Sequence, residues 1–339
     1  MKNKKILITG GAGFIGHHLA IKLKNLGHDV KIIDGLSVNN LISLMSFSGD
    51  DLPFPLLSKK IIEERLDLLK KNDINLYIQD LRDYHSCSKI IDKIQPEIVI
   101  HLAAVSHADR SNKSPFSTFD HSLRTLENVL DCAKNTAQQF IFLSSSMVYG
   151  NFKTDEVNEE SHCEPLGIYG ALKYSAEKIL IAYNQVYNIN YTILRPSALY
   201  GPRCISRRVG QIFIENALQG KKIVINGDGS EKLDFTCIED LIEGINCTLG
   251  NKNAFNQIFN ITYGKSREIK ELVDILKENF SNLEVEMKAK TDKLVPKRGT
   301  LSIKKAQELI NYNSRWGLEE GYQSYINWYK NFYSSKFKI

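Results

Sequence analysis

Tyr169 and Lys173 stand four residues apart, a spacing that puts both side chains on one face of a helix. A lysine ammonium beside a phenol favours the phenolate, so the pair reads as a base. An unperturbed phenol, with a pKa of about 10, is a poor base at neutral pH, and lowering that value makes it a useful one. Upstream, Ser144-Ser145-Ser146-Met147-Val148-Tyr149-Gly150 follows a strand-like run. A serine from that segment is placed to hold the oxygen that Tyr169 deprotonates. Tyrosine and lysine at this spacing are common on exposed helix faces, so the pair takes its meaning from what surrounds it.

A second group surrounds a glycine turn. Gly11-x-Gly13-x-x-Gly16 and Gly10-x-x-Gly13-x-x-Gly16 share the same letters, and both follow the apolar run Ile6-Leu7-Ile8. Glycine lets a strand turn tightly, lets the backbone approach a pyrophosphate and lets the next helix pack close. The phosphates then meet unpaired N–H groups at a helix N-terminus. Asp34 lies 18 residues after Gly16, at the end of the following strand-like run, where an acid accepts hydrogen bonds from ribose hydroxyls. Asp34 would repel a 2′-phosphate, and Gly35-Leu36-Ser37 offers that phosphate no cation. The cofactor expected is NAD rather than NADP.

These groups need a scaffold, and the chain's periodicity supplies one. Ile15, Leu19, Leu23 and Leu26 recur at helical spacing until Gly27, and Val30–Asp34 follows as a second strand. Further strand-like runs fall at Asn75–Gln79, Ile98–Leu102, Phe140–Ser144, Tyr191–Leu194 and Ile258–Ile261, mostly with helical stretches between them. The fold class expected is α/β, a doubly wound parallel sheet. The connection from Asp34 to Asp80 is long, with prolines at 53 and 55 and an amphipathic helix over Ile61–Lys71. The aromatic residues Trp316, Tyr322, Tyr325, Trp328, Tyr329 and Phe332 near the C-terminus read as core packing.

Composition narrows the function. The chain has 339 residues and a net charge of +5, with charges interspersed, which gives no reason to expect nucleic acid or an anionic membrane as partner. No apolar stretch is long enough to span a bilayer, and no secretory leader pattern opens the chain, so a cytoplasmic location is expected. Cys87, Cys132, Cys163, Cys204, Cys237 and Cys247 are scattered without ligand spacing. They read as reduced thiols, and no metal site is expected.

Taken together, these residues resemble the extended short-chain dehydrogenase/reductase family, in particular its nucleotide-sugar 4-epimerases and dehydratases. Additional landmarks are Asp80-Leu81-Arg82-Asp83, His101-Leu102-Ala103-Ala104, Arg195-Pro196-Ser197-Ala198-Leu199-Tyr200-Gly201-Pro202 and Gly227-Asp228-Gly229-Ser230 leading to Asp234-Phe235. The resemblance implies a Rossmann domain over 1–195 plus 234–262 and a smaller, mostly helical substrate domain over 196–233 plus 263–339. It implies Tyr169 as acid/base, Lys173 on the nicotinamide ribose while tuning Tyr169, and Ser145 as the catalytic serine. Gly10, Gly13, Phe14, Ile15 and Gly16 would hold the pyrophosphate of NAD, Asp34 its ribose, and Asp80 and Leu81 its adenine. Leu102, Ala103, Ala104 and Pro196 would lie along the rest of the cofactor. Ser106, Ser145 and Ser146 would touch the sugar. His107 and Arg110, in a loop with Asp109, resemble the sugar-pocket loop of hexose 4,6-dehydratases, although a loop ion pair between Asp109 and Arg110 explains them equally. The helices near 115–134 and 169–188 resemble those that pair in family homodimers.

Three departures stand out. Ala198 and Leu233 replace an asparagine and an arginine that commonly help to hold the substrate diphosphate, and Ser122 stands where an asparagine often occurs. The cations available to take over the diphosphate are Arg203, Arg207, Arg208 and Arg298. The dehydratases carry an Asp-Glu pair after the catalytic threonine, and this chain has Ser146 and Met147 there. A thioether cannot act as a base, so loss of water from the sugar is not expected. The reaction expected is NAD-dependent 4-epimerisation of a nucleoside-diphosphate sugar, a UDP-hexose or UDP-hexuronate, through a transient 4-keto sugar. The Arg65-Leu66 helix resembles that of UDP-glucuronate 4-epimerases. The alternatives are a net 4-dehydrogenase or 4-ketoreductase, and a non-catalytic NAD-binding protein on the same fold.

Overall fold

A computed structural model describes residues 3–45, 55–105, 108–289 and 294–337. The first βαβ unit consists of β1 (Lys5–Thr9), α1 (Phe14–Asn25) and β2 (Asp29–Asp34). The long connection contains α2 (Pro55–Lys71), which begins at Pro55, six residues before the helix read from the sequence. Proline suits a first helical position because its missing N–H has no intrahelical partner there. The chain continues through β3 (Asn75–Ile78), α3 (Tyr84–Ile94), β4 (Ile98–His101), α4 (Thr125–Ala133) and β5 (Gln139–Leu143). Then come α5 (Gly167–Tyr187), β6 (Asn190–Arg195), α6 (Val209–Leu218), α7 (Ile238–Thr248), β7 (Gln257–Asn260), α8 (Ile269–Asn279) and α9 (Leu318–Phe337).

The seven strands form one parallel sheet in the order β7-β6-β5-β4-β1-β2-β3. Strand periodicity explains why both faces are buried. Ile6, Ile8, Ile32, Ile98, Ile100 and Ile141 pack into a core on one face, while Leu7, Ile33, Val99, Phe140 and Phe142 pack into a core on the other. The strand order reverses between β1 and β4, which opens a crevice at their carboxyl ends.

Outside the sheet, short strand pairs and helices build a smaller part. Ile223–Asn226 pairs with Val285–Lys288, and Lys232–Leu233 pairs with Arg267–Glu268. Asp234 joins these segments: its buried carboxyl accepts from the Thr262 hydroxyl and from the backbone N–H groups of Gly264 and Leu301. On α9, Tyr322, Tyr325, Tyr329 and Phe332 turn one face inward, as their helical spacing requires. The Tyr322 and Tyr329 hydroxyls donate to the Gly210 carbonyl and Glu215 on α6 at 2.8 and 2.9 Å, which fixes α6 against α9. One continuous core runs from Ile6 through Phe332. Among the described residues, no helix is long and apolar enough to cross a membrane, and no cluster of His, Cys, Asp and Glu suits a metal ion.

Candidate active site

The crevice holds two adjoining cavities. The first, about 120 Å³, surrounds the glycine turn and is lined by Gly10, Gly13, Phe14, Ile15, Gly16, Asp34, Asp80, Leu81, Leu102, Ala103 and Ala104, all named from the sequence. Its shape depends on missing side chains. Gly10 has φ +71°, and a Cβ there would come within 2.8 Å of the Ala103 nitrogen. Gly13 caps α1 with no side-chain hydrogen bond, so the first N–H groups of the helix face the cavity. Asp34 accepts from Ala12 N–H at 3.0 Å and Leu36 N–H at 2.8 Å, which fixes the carboxylate in the cavity's lining. Burial pushes its pKa up, and these two donors and Arg65 oppose the rise. A backbone cradle, a helix N-terminus and a fixed acid suit the pyrophosphate and ribose of a dinucleotide.

The second cavity, about 350 Å³, opens over the ends of β5 and β6 and is lined by Ser144, Ser145, Ser146, Tyr169, Lys173, Pro196, Arg207, Arg208 and Arg298, among others. The sheet sets their positions. The chain leaves β5 at Leu143 and turns through the serines, and the Ser145 hydroxyl accepts from Met147 N–H. Tyr169 lies in the first turn of α5, and Lys173 is one turn further on, where its ammonium donates to the Leu143 carbonyl at 2.6 Å. Burial raises the Tyr169 phenol above its ordinary range, with Arg208 and the neighbouring Ser145 hydroxyl opposing. Burial lowers the Lys173 pKa to about 8, with Glu177 opposing.

A buried network supports this face of α5. The Ser144 hydroxyl donates to Glu177 at 2.5 Å, and Arg195 grips Glu177 through Nε and Nη2 at 2.9 and 2.7 Å. Arg195 also donates to the Tyr149 hydroxyl, which donates to Asn260 on β7 at 2.8 Å. Strands β5, β6 and β7 are thereby tied to the helix that carries Tyr169 and Lys173.

Not every residue named from the sequence reaches the cavities. Arg203 lines neither: its guanidinium donates to His17 Nε2 at 3.0 Å and to Glu64 at 3.2 Å. It braces α1 against α2. Ser106 and His107 lie outside the described residues, as do the side chains of Asp109 and Arg110. Arg207 and Arg298 do line the second cavity, and each has a buried guanidinium nitrogen with no hydrogen-bond partner, Nη1 and Nε respectively. Burial and then the neighbouring Arg208 lower the Arg298 pKa to about 10, with Glu231 opposing. Cations held this way are arranged to receive an anion.

The cavities also contain residues that sequence reasoning missed, Arg65, His121 and Thr125 in the first and Asn112 and Tyr322 in the second. Arg65 left a signal, because a charged residue occupies the apolar stripe that Ile61, Ile62 and Leu69 define. Fully buried, it donates through Nε to the Arg203 carbonyl at 3.0 Å.

Comparison with known proteins decides the family. The model of the NAD dependent epimerase/dehydratase family matches residues 6–262. The chain belongs to this family. It is an NAD-dependent enzyme of that family, and the glycine turn and acid described above fit that cofactor. A putative UDP-glucose 4-epimerase of Methanocaldococcus jannaschii is 33% identical, covering 96% of this chain and 98% of that one. The structure of UDP-glucuronic acid 4-epimerase from Bacillus cereus, in complex with UDP-glucuronic acid and NAD, superimposes with a TM-score of 0.84 at 27% identity. It covers 98% of this chain and 100% of that one. UDP-glucose 4-epimerase from Thermotoga maritima, with UDP-glucose, gives a TM-score of 0.83 at 28% identity, covering 96% and 98%.

Proposed function

We propose that this enzyme inverts the C4 configuration of a UDP-hexose or UDP-hexuronate. The observation that carries this reading is one cavity that combines Tyr169, Lys173 and Ser145 with Arg207, Arg208 and Arg298 and, among the described residues, no carboxylate. Such a cavity suits a polyanionic sugar nucleotide with a hydroxyl at the phenol. Arg207 and Arg298 hold the diphosphate in place of the positions occupied by Ala198 and Leu233. The Tyr169 phenolate removes the 4-hydroxyl proton while Ser145 holds the oxygen, and Ser146 lines the sugar. Bound NAD would supply the acceptor for the C4 hydride and, once the 4-keto sugar has turned about its bond to the diphosphate, the donor to the opposite face of C4. Tyr169 then returns the proton to the oxygen.

In the first cavity, Gly10, Gly13, Phe14, Ile15 and Gly16 would hold the pyrophosphate of NAD, Asp34 its ribose, and Asp80 and Leu81 its adenine. Leu102, Ala103 and Ala104, with Pro196 in the second cavity, would lie along the rest of the cofactor, and Lys173 would hold the nicotinamide ribose. Ser146 and Met147 follow Ser145, and among the described residues no carboxyl group lines the cavity to serve elimination, which favours epimerisation over loss of water. Turnover of a panel of UDP-hexoses and UDP-hexuronates tests the reading. An epimer forms without accumulation of reduced cofactor if it is right, whereas one reduced cofactor per sugar indicates a dehydrogenase.

The partner proposed is a second copy of this chain. Phe116 and Phe119 on one side, and Ile168, Val186 and Tyr187 on α5, leave an exposed apolar face. Sedimentation is expected to show a dimer that Val186→Glu weakens.

A further inference from the structure

Between β6 and α6 one short stretch of chain, residues 201–208, borders both cavities. Ser206 and Arg208 line the first, and Arg207 and Arg208 line the second. The stretch contains no strand or helix. Its backbone closes a turn of its own, from Cys204 N–H to the Gly201 carbonyl at 3.3 Å. Arg203 and Arg207 both adopt the left-handed region, at φ +65° and +51°. That conformation is unfavourable for a residue with a Cβ and persists where the surroundings impose it.

Side chains from two helices hold the turn at Arg203. On α2, Nε and Nη2 of Arg65 both donate to the Arg203 carbonyl, at 3.0 and 2.5 Å. On α1, His18 Nε2 donates to the neighbouring Pro202 carbonyl at 3.0 Å. The Arg203 guanidinium is held in turn by His17 and Glu64. Since His17 Nε2 accepts from Arg203, its Nδ1 carries the proton and donates to the Gly13 carbonyl at 2.8 Å. One ring therefore ties the glycine turn to the stretch that carries Arg207 and Arg208.

Arg65 is the unusual member of this staple. It is fully buried, and burial lowers its pKa to about 10, which leaves it a cation at neutral pH. A buried charge is costly, and an aliphatic side chain would pack α2 without that cost. The guanidinium instead points its donors at the backbone of two loops, the Arg203 carbonyl and, at 3.5 Å, that of Asn39 after β2.

We propose that Arg65 is a positioning residue for the grip on the sugar nucleotide: by holding the Arg203 carbonyl, it sets where Arg207 and Arg208 stand in the second cavity. Arg65 lines the first cavity and not the second, so its effect on the sugar nucleotide passes through the turn. The inference rests on the second cavity taking the diphosphate of a UDP-sugar, as proposed above.

Calorimetry on enzyme saturated with NAD, with UDP as the probe, reads the grip without turnover. Arg65→Met is expected to weaken UDP about tenfold and to raise the KM for the UDP-sugar by a similar factor, with smaller changes in kcat and in NAD affinity. Arg65→Lys keeps the charge and is expected to recover part of the loss. In an Arg207→Met background, Arg65→Met is expected to weaken UDP less than it does alone, because one of the groups it positions is gone. If Arg65→Met does not fold, Arg203→Met loosens the same turn and is read in the same way. An unchanged UDP affinity in Arg65→Met, or a loss that multiplies fully with that of Arg207→Met, would overturn the inference. A loss of NAD affinity with UDP binding intact would also overturn it and make Arg65 a cofactor ligand. Failure of the underlying reading is distinguishable, because the wild-type enzyme then binds no UDP.

Discussion

The two cavities are built on opposite principles. The cofactor cavity is a backbone feature: glycines, the first N–H groups of α1, and a carboxylate fixed by Ala12 and Leu36 N–H, all within one βαβ unit. The substrate cavity is a side-chain feature, assembled from Ser145, Tyr169, Arg207 and Arg298, which come from four separate stretches of chain. A backbone site tolerates little change in shape, since a Cβ at Gly10 would press on Ala103. A side-chain site can be rebuilt one residue at a time. Ala198 and Leu233 line this cavity, and Arg207 and Arg298 supply its charge. The difference explains how one cofactor can be kept while the grip on the sugar nucleotide changes.

Three substitutions would break or sharpen this contrast. Tyr169→Phe removes the phenol from the side-chain site and leaves the backbone site intact. Turnover is expected to fall by roughly 10²–10⁴-fold while NAD affinity measured by calorimetry changes little. Arg298→Met removes one charge-assisted bond from the same cavity. The KM for the UDP-sugar is expected to rise by roughly 10–100-fold, with a smaller effect on kcat, in steady-state kinetics. Asp34→Ala removes the fixed carboxylate from the backbone site. NAD binding is expected to weaken about tenfold, and discrimination against NADP to relax, in fluorescence titrations.

The same contrast shows what the sequence revealed. Local features were legible: all seven sheet strands, the glycine turn, Asp34 and the helical register of Tyr169 and Lys173. They depend on spacing along a few turns or one strand, where period 2 or 3.6 is enough. Arg203 lines neither cavity, since sequence proximity to Arg207 and Arg208 says nothing about where each side chain points. Its prior engagement with Glu64 and His17 depends on contacts more than a hundred residues apart in the chain. Arg65, Asn112 and Tyr322 were not read as cavity residues for the same reason, since only the packing of α2 and α9 brings the first and last to their cavities.

The central claim is that hydride leaves C4 and returns to the same carbon from the other face, with every oxygen retained. A UDP-hexose or UDP-hexuronate carrying deuterium at C4 tests it directly, with the product read by mass spectrometry and proton NMR. The account predicts an epimer of unchanged mass that keeps the deuterium at an inverted C4, with no reduced cofactor released. A product lighter by one water, or a 4-keto sugar that has lost its deuterium to released cofactor, would contradict it.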